Sequence, residues 1–105
     1  MRAEFPKWTK RFQRSHPKVW KAFQKLGEEC HSAGPLDART RRLVKIGIAA
    51  GYGSEGAMHS AVRNALAEGV SEDEIRHAIL LSITTIGFPN SQAALSWAED
   101  IVRAK

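Results

Sequence analysis

The chain has 105 residues, 43% of them hydrophobic, and its 16 Lys and Arg outnumber 11 Asp and Glu. This size allows one core but not two, and this apolar content excludes a disordered polyelectrolyte. No apolar run approaches the roughly 20 residues that span a bilayer. The first residues, Met1-Arg2-Ala3-Glu4-Phe5-Pro6-Lys7-Trp8, lack the apolar centre of a secretory signal, and the single cysteine, Cys30, has no intrachain partner. A cytoplasmic protein with no membrane partner is expected.

The charge is unevenly placed. Residues 1–25 hold eight Lys and Arg against Glu4, a net of +7, whereas residues 26–105 carry a net of −2. No groove-reading motif accompanies the basic stretch, so nucleic acid is not an expected partner. The cations read as the solvated face of an amphipathic helix, with contact to an acidic partner as the alternative.

In chain order, Phe5, Trp8 and Phe12 recur at i, i+3 and i+7 with cations between them, which predicts a short helix with Pro6 in its first turn. Residues 1–14 are read as this basic amphipathic helix, docking on the domain or on a neighbouring subunit. Residues 15–105 are read as the helical domain. Ser15-His16-Pro17 restarts the chain. Val19, Trp20, Phe23, Leu26 and Cys30 then keep helical spacing up to Ala33, and Gly34-Pro35 end the helix. Asp37 caps the next helix, whose tail from Leu43 to Ala50 is nearly all apolar and is expected to be buried on more than one side.

Gly51-Tyr52-Gly53 turns the chain into a helix capped by Ser54 and stopped by Gly69. Val70-Ser71-Glu72-Asp73-Glu74-Ile75 is the clearest local signal: Ser71 and Glu74 form a capping box, and Val70 with Ile75 a hydrophobic staple. The helix it opens is expected to run through Ile75, Ile79, Ile83 and Ile86 as the central one. Gly87-Phe88-Pro89 breaks it, and a last helix from Pro89 or Asn90 has Ala93, Ala94, Leu95, Trp97, Ala98, Ile101 and Val102 as its inner face before fraying at Arg103-Ala104-Lys105. Without strand alternation or hairpin signals, the expected class is all-α, about six helices.

The helix after Ser54 carries the best candidates for chemistry. Glu55, His59 and Arg63 fall at i, i+4 and i+8, so an acid, an imidazole and a fixed cation share one face. Such a stripe suits proton transfer with Arg63 holding a carboxylate, and equally an exposed ion-pair ladder with His59 paired to Glu55. Thr84 and Thr85 beside Gly87-Phe88-Pro89 suit either the wall of a substrate pocket or bonding back to the helix backbone. Cys30 and His31 are adjacent, about 100° apart on a helix, and do not face each other; Cys30 lies on the apolar stripe and is expected in the core. His16 sits in a turn and His77 on a polar face. No pair of histidines has ligand spacing with a third donor, so neither a metal nor any other cofactor is expected. Trp8, Trp20 and Trp97 read as core or interface anchors.

Arg42-Leu43-Val44 with Gly47-Ile48-Ala49-Ala50, then Gly56 to Leu66, then Ala67-Glu68-Gly69-Val70-Ser71-Glu72-Asp73-Glu74-Ile75-Arg76, and Thr84-Thr85-Ile86-Gly87-Phe88-Pro89 carry a resemblance. From Arg41 to Trp97 the chain resembles the carboxymuconolactone decarboxylase-like family, which includes the alkylhydroperoxidase-D-like proteins. The resemblance implies an alkylhydroperoxidase-D-like fold with a helical hairpin at its heart, and homo-oligomers, commonly trimers or hexamers. It also implies one of two chemistries. Redox members use a C-x-x-C pair with a histidine and a glutamate relay; those positions fall here on Ser54, Ala57, Ala61 and Arg42. Decarboxylase-like members lack the cysteines, resemble this chain more closely, and act by proton transfer on a small carboxylated lactone. His59 lies two residues before the family's histidine position. The leading expectation is therefore acid/base chemistry on a small carboxylated ligand by His59 and Glu55, with Arg63, Thr84 and Thr85 binding it. A non-catalytic homo-oligomeric scaffold or binding module is the alternative, and peroxidase chemistry through Cys30 ranks last.

Overall fold

A computed structural model describes residues 5–104, and among them every regular element is a helix. Arg2 and Glu4 of the basic stretch, and the fraying expected at Lys105, lie outside the described residues. The helices are α1 (Lys7–Ser15), α2 (Pro17–Ser32), α3 (Ala38–Tyr52), α4 (Glu55–Ala67), α5 (Glu72–Leu80), α6 (Ile83–Ile86) and α7 (Phe88–Val102). Six are of ordinary length and α6 is a single turn, so the all-α class is as expected.

The helix starts follow from local chemistry. Asp37 accepts from the Thr40 backbone N–H at 2.9 Å, and Ser54 from that of Ala57 at 3.2 Å. At α5 the capping box closes in both directions: Glu74 N–H donates to Ser71 Oγ at 3.1 Å, and Ser71 N–H donates to Glu74 Oε1 at 2.9 Å. Arg39 of α3 also reaches Glu74 and donates to the Gly69 carbonyl at 3.1 Å, fastening α3 to the α4–α5 turn. Gly69 ends α4 with φ of 88°. Its N–H donates to Leu66 O at 3.1 Å and that of Val70 to Ala65 O at 3.0 Å, the two bonds of a Schellman motif, with Val70 buried behind it.

Two compact units are distinguished, residues 5–36 and 37–104. In the first, α1 and α2 form a hairpin whose contacts lie at one end: Phe5 meets Trp20 edge-on with ring centroids 5.7 Å apart, and Trp20 meets Phe23 at 5.6 Å. No side chain of α1 or α2 is buried, and Val19, Phe23 and Leu26 are exposed. Cys30, expected in the core, is exposed as well. The reason is length: nine residues of α1 span about 14 Å, the first part of the longer α2, and Cys30 lies in its last turns.

In the second unit α7 packs against α3, α4, α5 and α6, and α3 against α4 and α5. The core holds Ile46, Met58, Val62, Ile75, Ile79 and Val102, closed by Ala49, Ala50, Ala65, Ala94 and Ala98. Two expectations fail here. The α3 tail is buried on one side alone: Ile46, Ala49 and Ala50 face the core, whereas Val44, Ile48 and Tyr52 are exposed, because α4, α5 and α7 all lie on the same flank. The helix from Ser71 does not continue to Ile86 either. It stops at Leu80, and the chain turns at Leu81-Ser82 before α6. Ser82 is engaged sideways, donating to Ile79 O and sharing a hydrogen bond with the buried Ser91 Oγ of α7. That bond satisfies Ser91 in the core and bends the chain away from a continuous helix.

Two predictions follow from these ends. Nothing lies within 4 Å of a Cβ added at Gly69, so Gly69→Ala meets only the cost of the left-handed conformation. It should lower unfolding free energy in urea by about 1–2 kcal/mol, with Gly69→Asn milder. The Glu74 carboxyl is held down to about 2, from an ordinary 4.5, by the Ser71 backbone N–H first and then by Arg39 and the Ser71 hydroxyl. Thr40 lowers Asp37, and Arg76 lowers Glu99, in the same direction. Depressed folded values mean stability present above the unfolded value and lost as protons bind. The melting temperature should therefore fall as pH drops from about 4.5 towards 2, and Glu74→Gln should make that fall shallower.

Candidate functional site

The site is built on the seam between α4 and α7. Gly53, at φ of 77°, closes α3 with its N–H on Ala49 O, so Ser54 begins α4 at once. Met58, Val62 and Ala65 fall at i, i+4 and i+7 on α4, and Ala94, Ala98 and Val102 form the matching stripe of α7; all six are buried. His59 directly follows Met58 and so stands at the border of this seam, with 23% of its side chain exposed. Asp100 stands on α7 between Ala98 and Val102.

These placements bring together two residues 41 positions apart. His59 Nε2 lies 3.0 Å from Asp100 Oδ2 and 3.8 Å from Glu55 Oε2. A carboxylate only accepts, so Nε2 donates to Asp100 and, in the neutral ring, Nδ1 keeps a free lone pair. The helical spacing of Glu55 and His59 suggested the local partner; the nearer one comes from another helix. One ligand-capable atom from each of Glu55, His59 and Asp100 lies within 4.8 Å of the others. Asp100 also borders an open concavity of about 580 Å³ on the flank of α7, shared with Gln92, Ser96, Glu99 and Arg103.

Arg63 occupies the next turn of α4 beyond His59. It is half-buried and makes no ion pair among the described residues. Burial pulls its guanidinium below the ordinary arginine range. The contrast with Arg76 is plain: that guanidinium donates twice to Glu99, from Nε at 2.7 Å and from Nη2 at 3.1 Å, and stands near Asp73 and Glu72. Its proton is held more tightly than in free arginine, chiefly by the Glu99 hydrogen bonds.

The two threonines lie elsewhere. Both are exposed on α6, and Thr84 Oγ1 donates back to Leu81 O at 3.4 Å. Thr85 lines a second concavity of about 560 Å³, with Leu43, Val44, Gly47, Ala78 and Ile86 among its walls, in which Glu55, His59 and Arg63 take no part. Ser54 and Ala57 are joined by the N-cap hydrogen bond of α4, and Arg42 pairs with Glu68 at 3.4 Å. His77 is exposed, as its polar face suggested.

Comparison with known proteins bears on this geometry. The carboxymuconolactone decarboxylase family model matches residues 17–100. An uncharacterised protein of Methanocaldococcus jannaschii is 26% identical over 87 residues, which are 82% of this chain and 84% of that protein. A 4-carboxymuconolactone decarboxylase of Acinetobacter baylyi is 32% identical over 75 residues, or 71% of this chain; the match spans 56% of that enzyme's length.

The two arginines should separate on substitution. Arg63→Met removes a desolvated, unpaired charge and should leave stability within about 0.5 kcal/mol of the parent or raise it. Arg76→Met removes both hydrogen bonds of 2.7 and 3.1 Å from the largely covered Glu99 and leaves it the exposed Arg103 at 3.3 Å, so it should lower the urea midpoint. A clear loss of stability in Arg63→Met would mean that the arginine is held by a compensating contact.

Proposed function

Because the chain belongs to the carboxymuconolactone decarboxylase family, we propose that it is a small-molecule enzyme performing acid/base chemistry on a carboxylated, lactone-type substrate at the α4–α7 seam. The observation that carries this reading is the pairing of His59 with Asp100 at 3.0 Å, one helical turn from Arg63, which has no ion pair among the described residues. The name of the Acinetobacter relative supplies the substrate class. Loss of a carboxylate as CO2 leaves an electron pair that must take a proton at carbon, and His59 in its protonated form supplies it. Asp100 fixes the orientation of the ring through Nε2, and Glu55 stands behind it. Arg63 holds a carboxylate that the reaction retains; an ion pair on the departing group would oppose its loss. Thr84 and Thr85 lie outside this group of residues, so binding of the same substrate by them requires a second copy to bring α6 to the seam.

We also propose that the working form is a homo-oligomer, a trimer or hexamer. Val44, Ile48 and Tyr52 of α3 are 44%, 63% and 77% exposed, an apolar strip of a kind that subunit contacts cover. The alternative of a non-catalytic oligomeric scaffold shares this strip and lacks the turnover. No helix among the described residues is long and apolar enough to cross a membrane.

The decisive assay follows 4-carboxymuconolactone by its absorbance and by CO2 release. Turnover should fall by about 10²–10⁴-fold in His59→Ala, and Arg63→Lys should act mainly on KM. Absence of turnover by the parent protein, or full activity in His59→Ala, would sink the enzymatic reading. Separately, Ile48→Glu should shift the light-scattering mass towards the monomer; an unchanged mass would place any subunit contact elsewhere.

A further inference from the structure

The atoms that hold His59 also make a set of metal donors. We propose that Glu55, His59 and Asp100 form a binding site for a borderline divalent transition ion of the zinc class, and that the bound ion switches off proton transfer by His59. The site rests on geometry alone; its inhibitory effect rests on the acid/base reading given above.

Three features support the site. First, the donor set is one imidazole nitrogen and two carboxylate oxygens, which suits zinc better than magnesium or calcium, since those ions take oxygen donors. Second, Glu55 and His59 stand one turn apart on α4, so their atoms come from consecutive turns of a rigid helix, while Asp100 arrives from α7 across a buried seam. The three helix positions are therefore held without any ion. Third, the separations are close to what an ion demands. Ligands about 2.0–2.1 Å from zinc in tetrahedral array lie some 3.3 Å apart. Nε2 is 3.0 Å from Asp100 Oδ2 and 3.8 Å from Glu55 Oε2, and all three donors fall within 4.8 Å of one another. Glu55, 60% exposed, is free to turn inwards and close the widest gap. The fourth position faces solvent and takes water.

Binding needs no net proton change when His59 is neutral. The ring moves its proton from Nε2 to Nδ1, and the Nε2 lone pair becomes the metal bond, replacing the hydrogen bond to Asp100. The two carboxylates carry −2, which the ion neutralises. Nδ1 then holds the only ring proton and Nε2 is blocked, so the ring cannot take up the second proton that makes it the acid. Zinc in excess should therefore inhibit, and a chelator should restore, whatever proton transfer His59 performs.

The test is equilibrium dialysis of the full chain against zinc sulfate, with magnesium as control, on the parent and on His59→Ala, Asp100→Asn and Cys30→Ser, with helix content checked by circular dichroism. Cys30→Ser is included because Cys30 is exposed beside His31 and is the other donor pair that zinc would seek. The parent should bind one zinc per chain and no magnesium. His59→Ala and Asp100→Asn should weaken binding by about 10–100-fold or more, and Cys30→Ser should not alter it. The proposal is overturned if the parent binds no zinc at about 100 μM free ion, enough to fill a site of micromolar Kd. It is equally overturned if His59→Ala binds as well as the parent, if binding is lost in Cys30→Ser, or if magnesium competes. Zinc bound at His59 without inhibition would uphold the site and count against the proton-transfer reading instead.

Discussion

The candidate site depends on how closely α4 and α7 approach. Met58 and Val62 are fully buried against a helix that offers Ala94 and Ala98. Two alanines on the facing stripe remove the bulk that would hold the helix axes apart, and close-packed interiors leave little room for adjustment. His59 and Asp100 flank this stripe, one on each helix. Their 3.0 Å contact is set by the packing beneath them and not by any local motif. Replacing Ala98 by a larger residue would act on the histidine without touching it.

What could be read from the sequence was what is decided within a few residues. Asp37, Ser54, the Ser71–Glu74 box and Gly69 all act within one turn of themselves, and each stands where the sequence placed it. Asp100 was not legible as the partner of His59, since no periodicity connects positions 41 apart; Glu55 took its place because helical spacing offered it. The break after Leu80 escaped for a related reason. The apolar stripe through Ile83 and Ile86 continues the helical period, and only the tertiary bond from Ser82 to Ser91 shows why the helix does not. Burial was misjudged where apolar content exceeded what the neighbours cover: Val44 and Ile48 belong to the apolar tail of α3 yet face outwards, because the other helices of the unit all lie on one side of α3.

Charge separates structural residues from the candidate site. Arg39, Arg42 and Arg76 each meet a carboxylate on another helix, and each thereby ties elements together: α3 to α5, α3 to the end of α4, and α5 to α7. Glu99 is held ionised chiefly by Arg76, and Glu74 by the Ser71 backbone N–H first, with Arg39 adding to it. Arg63 stands apart, partly desolvated and without such a tie. A cation kept in that state contributes nothing to the fold through ion pairing and loses hydration.

The first turn of α4 is closed by Ser54 on the Ala57 N–H, at the two positions where redox relatives are expected to carry thiols. A hydroxyl there accepts a backbone hydrogen bond and strengthens the cap, but offers no thiolate for disulfide exchange. Cys30 does not restore the pair, since a resolving thiol is needed and the chain has none. One turn beyond that cap, His59 meets the carboxylate of Asp100 on α7, with Glu55 of the first turn 3.8 Å from the same ring nitrogen. At the seam, and not at the cap, side chains from two helices converge, and the orientation of the imidazole is fixed by a group outside its own helix.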